Sequence, residues 1–229
     1  MKRLFLAATV AALAVTAVFA LWVTPPRVDQ GYDAVRLLYL HAPTAWIAYL
    51  AFGVTALGSA LWLWPRTRSI VWDRVAGASA EIGVIFTALT LVLGSLWGRP
   101  TWGTYWAWDA RMTSELILLF LYFGYMALRH AIDDARRADR ASAVLALVGV
   151  VNVPIIYFSV KWWNTLHQGA SVSLTRAPSM AATMLVGMLI MALAAWMYAI
   201  AASLYRVRSI ILEREAHADW VRQMPEASV

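Results

Sequence analysis

Ala181-Ala-Thr-Met-Leu-Val-Gly-Met-Leu-Ile-Met-Ala-Leu-Ala-Ala-Trp196-Met-Tyr-Ala-Ile-Ala-Ala-Ser-Leu-Tyr205 runs without one charged side chain. At 1.5 Å per residue such a run, coiled as a helix, is long enough to cross a hydrocarbon core of roughly 30 Å. Lipid offers no partner for backbone N–H and C=O groups, so a spanning segment has to be a helix or part of a closed barrel. The run lacks the two-residue alternation of a barrel strand, so it is a helix. Five further apolar runs meet the same test: Leu4–Trp22, Thr44–Trp64, Ala78–Trp97, Ser114–Arg129 and Ala141–Val160. With 62% apolar and 14% charged residues and a mean hydropathy of +0.63, a chain of 229 residues cannot hide this surface in a soluble core. The expected fold is an all-α integral membrane protein of six transmembrane helices, forming one domain over residues 1–229.

The first run follows Lys2 and Arg3, but it is longer than the apolar stretch of a secretory signal and no small-x-small cleavage site follows it. It reads as a retained signal-anchor helix. With the N-terminus cytoplasmic, 13 of the 19 basic residues, Arg222 among them, fall in inner loops and tails. That bias places both termini in the cytoplasm. The net charge of +6 then reflects topology and contact with anionic membrane lipid, and no basic, aromatic-interleaved soluble segment is present to serve nucleic acid. The chain has no cysteine, which removes disulfides, thiolate metal sites and redox pairs.

On the outer side this topology collects the chemically distinctive residues. Trp97-Gly-Arg-Pro-Thr-Trp102-Gly-Thr-Tyr-Trp106-Ala-Trp108-Asp109-Ala-Arg111-Met-Thr113 forms a tryptophan-rich outer loop between the third and fourth helices. Indoles clustered at one surface offer wide apolar faces with a single polar edge, suited to a planar ligand such as a tetrapyrrole or a quinone. His41, just before the second helix, and His167, in Trp162-Trp163-Asn-Thr-Leu-His167-Gln-Gly, lie in the flanking outer loops. Neutral imidazole is a good donor to iron, and two from separate loops can approach opposite faces of a macrocycle. Taken singly, each histidine reads more readily as an interfacial anchor than as a ligand. The coincidence of both with the indoles on one face brings a planar-ligand site level with that reading.

The segment Trp102-Gly-Thr-Tyr-Trp106-Ala-Trp108-Asp109-Ala-Arg111, with Met112-Thr-Ser-Glu115-Leu, Val151-Asn-Val-Pro-Ile-Ile and Trp162-Trp163-Asn-Thr-Leu-His167-Gln-Gly, resembles the WWD signature of the haem-handling proteins of cytochrome c biogenesis. Chain length and helix count are similar to the haem exporter protein C (CcmC) family of bacterial system I, and less similar to the larger CcmF and CcsA proteins. The resemblance implies a protein of the bacterial inner membrane that holds haem b at the periplasmic face and delivers it to the haem chaperone CcmE. It implies the ABC subunits CcmA and CcmB and the small membrane protein CcmD as further partners. It makes His41 and His167 the axial ligands of the haem iron, and Trp97, Trp102, Trp106, Trp108, Asp109, Arg111, Trp162 and Trp163 the haem and chaperone platform. The implied role is delivery and not catalysis, with a lyase-like part in covalent attachment left open. Two alternatives are a haem transporter subunit, for which the helices offer few interior polar residues, and a quinone-linked oxidoreductase, for which a second redox centre is missing.

Five positions carry more local expectations. Arg111 and Glu115 stand four apart, which predicts a local ion pair. Asp109 is placed to cap the fourth helix or to orient a neighbour. Glu81 is expected near the cytoplasmic start of the third helix, where it snorkels. Pro154 is expected to kink the fifth helix and aim Trp162, Trp163 and His167 at the platform.

Overall fold

The computed structural model describes residues 2–169, 171–173 and 176–217. Arg222 of the charge count lies outside them. Seven α-helices follow in order: α1 (Lys2–Val18), α2 (Leu38–Leu63), α3 (Ile70–Trp102), α4 (Ala110–Ala131), α5 (Ala135–Gly149), α6 (Asn152–Trp162) and α7 (Ala182–Arg214). A single π-turn, Phe19–Val23, prolongs α1. Two short 3-10 turns, Val28–Gln30 and Asp33–Leu37, precede α2. Among the described residues five helical stretches are long and apolar enough to cross a membrane, with α5 and α6 together counting as one, Ala135–Trp162. Thr9–Val23 is apolar but shorter. Large exposed side chains such as Leu57, Val92, Phe120, Val148, Leu193 and Ile200 cover the helix sides, the surface a bilayer accepts and water does not. The chain is a multi-pass membrane protein.

Helix α2 sits centrally, against α3 over most of its length and against α5 and α7; α1 packs on α7, and α4 on α5 and α6. The densest packing gathers Ala48, Phe52, Ala80, Leu118, Tyr122, Ala146 and Ile156. Tyr122 stands edge-on to Phe52, with ring centroids 4.9 Å apart, and its hydroxyl donates to the Ala48 carbonyl at 2.8 Å. Only a glycine at position 83 leaves room for that phenol, because a Cβ there would overlap the Tyr122 hydroxyl.

The helices are longer than the apolar runs, for reasons visible at their ends. Helix α2 begins at Leu38 and not at Thr44, because the preceding 3-10 turn leads straight into it; His41 and Pro43 are therefore helical. Helix α3 starts at Ile70, where the Ser69 hydroxyl accepts the Val71 N–H, and continues past Pro100 to Trp102. Its end is closed by Gly103 at φ 81°, whose N–H donates to the Arg99 carbonyl, and by the Thr101 hydroxyl on the Trp97 carbonyl at 2.9 Å. The expected outer loop of residues 97–113 thus shrinks to 103–109, and Trp97 and Trp102 sit on a rigid helix. Glu81 consequently lies well inside α3, where its carboxylate pairs with Arg206 of α7 at 2.5 Å; Arg206 also reaches Glu213 at 2.8 Å. The kink expected at Pro154 is present as a break at Val150–Val151 between α5 and α6. There the Asn152 side chain donates to the Ser114 carbonyl at 2.9 Å and ties the break to α4.

At the end of the bundle where α3 and α5 begin, Asp73 and Asp139 are buried among arginines. Arg129 reaches Asp73 at 2.7 Å and Asp139 at 3.1 Å, Arg74 reaches Asp73 at 2.5 Å, and Arg214 reaches Asp139 at 3.5 Å. The network joins α3, α4, α5 and α7. Removing one partner of such a network leaves charge buried without compensation. Asp73→Asn is expected to cost about 3 kcal/mol, read as a lower melting temperature of the detergent-solubilised protein, whereas an unchanged melting temperature would show that the network does not hold this end together.

Candidate functional site

At the opposite end, where α2 and α4 begin and α3 and α6 finish, the helices enclose a cavity of about 270 Å³. It is near the lower end of the roughly 300–1,000 Å³ usual for ligand pockets. Helix α2 contributes His41, Trp46 and Tyr49; α3 contributes Gly94, Trp97, Gly98 and Trp102. Arg111 comes from the first turn of α4, and His167 and Gln168 from the segment after α6. A smaller chamber of about 40 Å³ adjoins it, walled in part by His41, Tyr49, Thr90, Arg111, Glu115 and His167. The two histidines, remote in sequence, thus share both spaces.

Each imidazole is set by its surroundings. His41 Nδ1 lies 3.1 Å from the Thr90 carbonyl, which can only accept, so Nδ1 carries the proton and Nε2 keeps its lone pair. The ring rests on the backbone of α3 at Gly94, where a Cβ would come within 2.9 Å of His41 Cε1. Its edge meets Trp97 at 6.0 Å between centroids and 85° between planes. His167 meets Trp102 at 4.9 Å and 59°. Two indoles five positions apart on α3 therefore each flank one histidine. His167 Nδ1 is buried without a hydrogen-bond partner, 3.9 Å from Asp109 Oδ2. A carboxylate beside Nδ1 is the arrangement that directs a metal-binding imidazole through Nε2.

Asp109 does more than face a histidine. Its Oδ1 accepts the Met112 N–H at 2.8 Å and caps α4, while Oδ2 accepts the Leu166 N–H at 3.0 Å and pins the segment that carries His167. Burial by itself would raise its carboxyl, but His167 and the two backbone N–H groups outweigh that and hold it below the ordinary carboxylate range.

The expected ion pair between Arg111 and Glu115 does not close. The turn that brings them together also packs Tyr49 against both, so Arg111 Nη2 donates to the Tyr49 hydroxyl at 3.4 Å and that hydroxyl donates to Glu115 Oε2 at 2.7 Å. Arg111 Nη1 is held by the Ile156 carbonyl at 3.1 Å. Arg99 instead turns onto the Gly103 carbonyl and the Tyr105 ring, and Arg36 onto Asp33 and the Thr24 carbonyl. Arg111 is the arginine that lines the cavity.

The other four tryptophans of the expected platform stand apart from this space. Trp108 is 77% exposed and meets Trp106 edge-on, while Trp162 and Trp163 are also exposed, Trp162 stacked on Phe158 at 5.3 Å. None of the four lines the cavity. Sequence reasoning passed over Trp46, Tyr49, Gln30 and Met188, which do line it. Gly94 and Gly98 were legible in principle, since two glycines four apart on an apolar helix mark a face approached closely by something else.

Comparison with known proteins places this architecture. The family model "CcmC: Heme exporter protein C" matches residues 1–222. The Heme exporter protein C of Bradyrhizobium diazoefficiens is 45% identical over 225 residues, covering 97% of this chain and 82% of its own. The Escherichia coli K12 protein of that name is 41% identical over 224 residues, 95% of this chain and 86% of its own, and that of Haemophilus influenzae 39% over 231 residues, 99% and 91%. A putative ccmC-like mitochondrial protein of Marchantia polymorpha is 41% identical over 154 residues, 67% of this chain and 64% of its own. This chain belongs to the heme exporter protein C family of cytochrome c biogenesis.

Proposed function

We propose that the chain holds haem b between His41 and His167 at the periplasmic face of the inner membrane and delivers it to the haem chaperone CcmE. The observation that carries this reading is the convergence of His41, His167, Trp97, Trp102 and Arg111 on one cavity. As cargo, haem meets here what its parts require: Nε2 lone pairs for iron, indole faces for the ring and a guanidinium for a propionate. The orphaned Nδ1 of His167 fits a site completed by cargo, because a ring drawn toward iron through Nε2 can turn Nδ1 onto Asp109. Trp108, Trp162 and Trp163, exposed beside the cavity, and Trp106, half-buried against Trp108, form the surface offered to the chaperone. CcmA, CcmB and CcmD complete the assembly, and α1 supplies the sixth crossing, which leaves both termini cytoplasmic and residues 1–229 one domain. The chain is a carrier whose iron ligands exchange, one histidine yielding its place to the chaperone.

Mixing the haem-loaded chain with the soluble domain of the chaperone is expected to move the Soret absorbance to the chaperone; a chain that never acquires haem, or never yields it, contradicts the reading. A finer prediction concerns Gly94. A methyl there displaces the His41 ring from the Thr90 carbonyl, so Gly94→Ala is expected to lower haem retention about tenfold, since outer partners of metal-binding histidines are typically worth 10–100-fold. Retention equal to the unaltered chain would show that α3 does not seat His41.

A further inference from the structure

We propose that Tyr49 and Glu115 are positioning residues that hold the Arg111 guanidinium toward the cavity as a carboxylate clamp, so that the site selects cargo by its acidic substituents as well as by its iron. The inference rests on the haem reading above and extends it to two side chains outside the tryptophan-rich segment. Tyr49 bridges α2 to α4: its hydroxyl donates to Glu115 Oε2 at 2.7 Å and accepts from Arg111 Nη2 at 3.4 Å. A phenol has a single proton, so the bond to Glu115 leaves the oxygen lone pair turned toward the arginine. The Ile156 carbonyl fixes the other guanidinium nitrogen from α6 at 3.1 Å. Among the described residues the other N–H donors of Arg111 have no protein partner, and Arg111 lines both the cavity and the chamber beside it.

Glu115 is 5% exposed, and its second oxygen, Oε1, is buried without a hydrogen bond. A buried carboxylate oxygen left unpaired is costly. The chamber of about 40 Å³ that Glu115 shares with His41, Thr90 and Arg111 is large enough for one water. The direct Arg111–Glu115 pair that the sequence suggests would have neutralised the guanidinium locally; with Tyr49 interposed the arginine keeps donors for a ligand carboxylate, which it binds in planar, bidentate fashion.

The test compares haem with haem dimethyl ester, which has the same iron and ring but no free carboxylates, on the purified full-length chain. Haem is expected to dissociate more slowly than its ester from the unaltered chain. In Tyr49→Phe, haem dissociation is expected to quicken about tenfold, as for loss of one charge-assisted contact, while the ester changes less than about twofold. Glu115→Gln keeps an acceptor for the Tyr49 hydroxyl and is expected to preserve the preference for haem; Glu115→Leu removes it and is expected to lose the preference. Equal acceleration of haem and ester in Tyr49→Phe, or no change in either, would overturn the assignment and leave the haem reading intact. Failure of the unaltered chain to bind either compound would overturn both.

Discussion

The double variant His41→Ala, His167→Ala is expected to lose haem almost entirely, with retention down by at least about a hundredfold. Two ligand bonds disappear together, and a hundredfold loss asks each for only about 1.4 kcal/mol. The indoles of Trp97 and Trp102 and the Arg111 guanidinium remain, so residual binding is by stacking and charge alone. Neither substitution threatens the fold. His41 makes one bond to a helix carbonyl that already serves its own helix, and His167 Nδ1 makes none. The melting temperature of the ligand-free variant is therefore expected to match the unaltered protein, and single variants are expected to keep haem with one axial position open. A Soret band undiminished in the double variant would remove both histidines from the ligand set.

The second large effect is expected at Asp109. Asn is as good a helix cap as Asp, so Asp109→Asn should preserve the start of α4 yet remove the negative charge beside His167 Nδ1. Haem retention is expected to fall 10–100-fold, the usual penalty for losing the carboxylate behind a metal-binding histidine. Asp109→Ala is expected to show the same loss and a further destabilisation of about 1 kcal/mol from the missing cap. Acid supplies an independent readout. Because the folded-state carboxyl lies below its ordinary value, its stabilising contribution is complete above the ordinary carboxylate range and disappears as pH falls through the depressed value. Acidification below about pH 4 is thus expected to destabilise the unaltered chain more than Asp109→Asn. Identical acid profiles would mean that the carboxylate does not anchor the His167 segment.

The membrane class and the approximate place of each helix were legible in the sequence because apolar length is a local property, and residues 181–205 declare it without help from the rest of the chain. Helix ends were not, since they depend on contacts beyond the apolar run. His41 looked like a loop residue because the apolar run begins only at Thr44, yet the 3-10 turn of Asp33–Leu37 carries the helix through. Trp97 looked like the edge of a loop and Trp102 like its interior because the apolar run ends at Trp97, yet Gly103 and Thr101 close the helix beyond Pro100. For the site, histidine and tryptophan announced themselves by type and side of the membrane. Tyr49 did not, because one tyrosine in an apolar helix is indistinguishable from a core residue until α4 is packed against it. Division of the segment's tryptophans into Trp97 and Trp102, which line the cavity, and Trp106 and Trp108, which do not, was invisible for the same reason: spacing along the chain does not say which indole turns inward once a helix ends at position 102.

The account stands on His41 and His167 binding one iron together. Electron paramagnetic resonance of the oxidised, haem-loaded chain reads this directly. The prediction is a low-spin ferric spectrum with the signature of two imidazole ligands, converting to high spin when either His41 or His167 is replaced by alanine. A high-spin spectrum from the unaltered chain, or a low-spin one that survives either replacement, would contradict it.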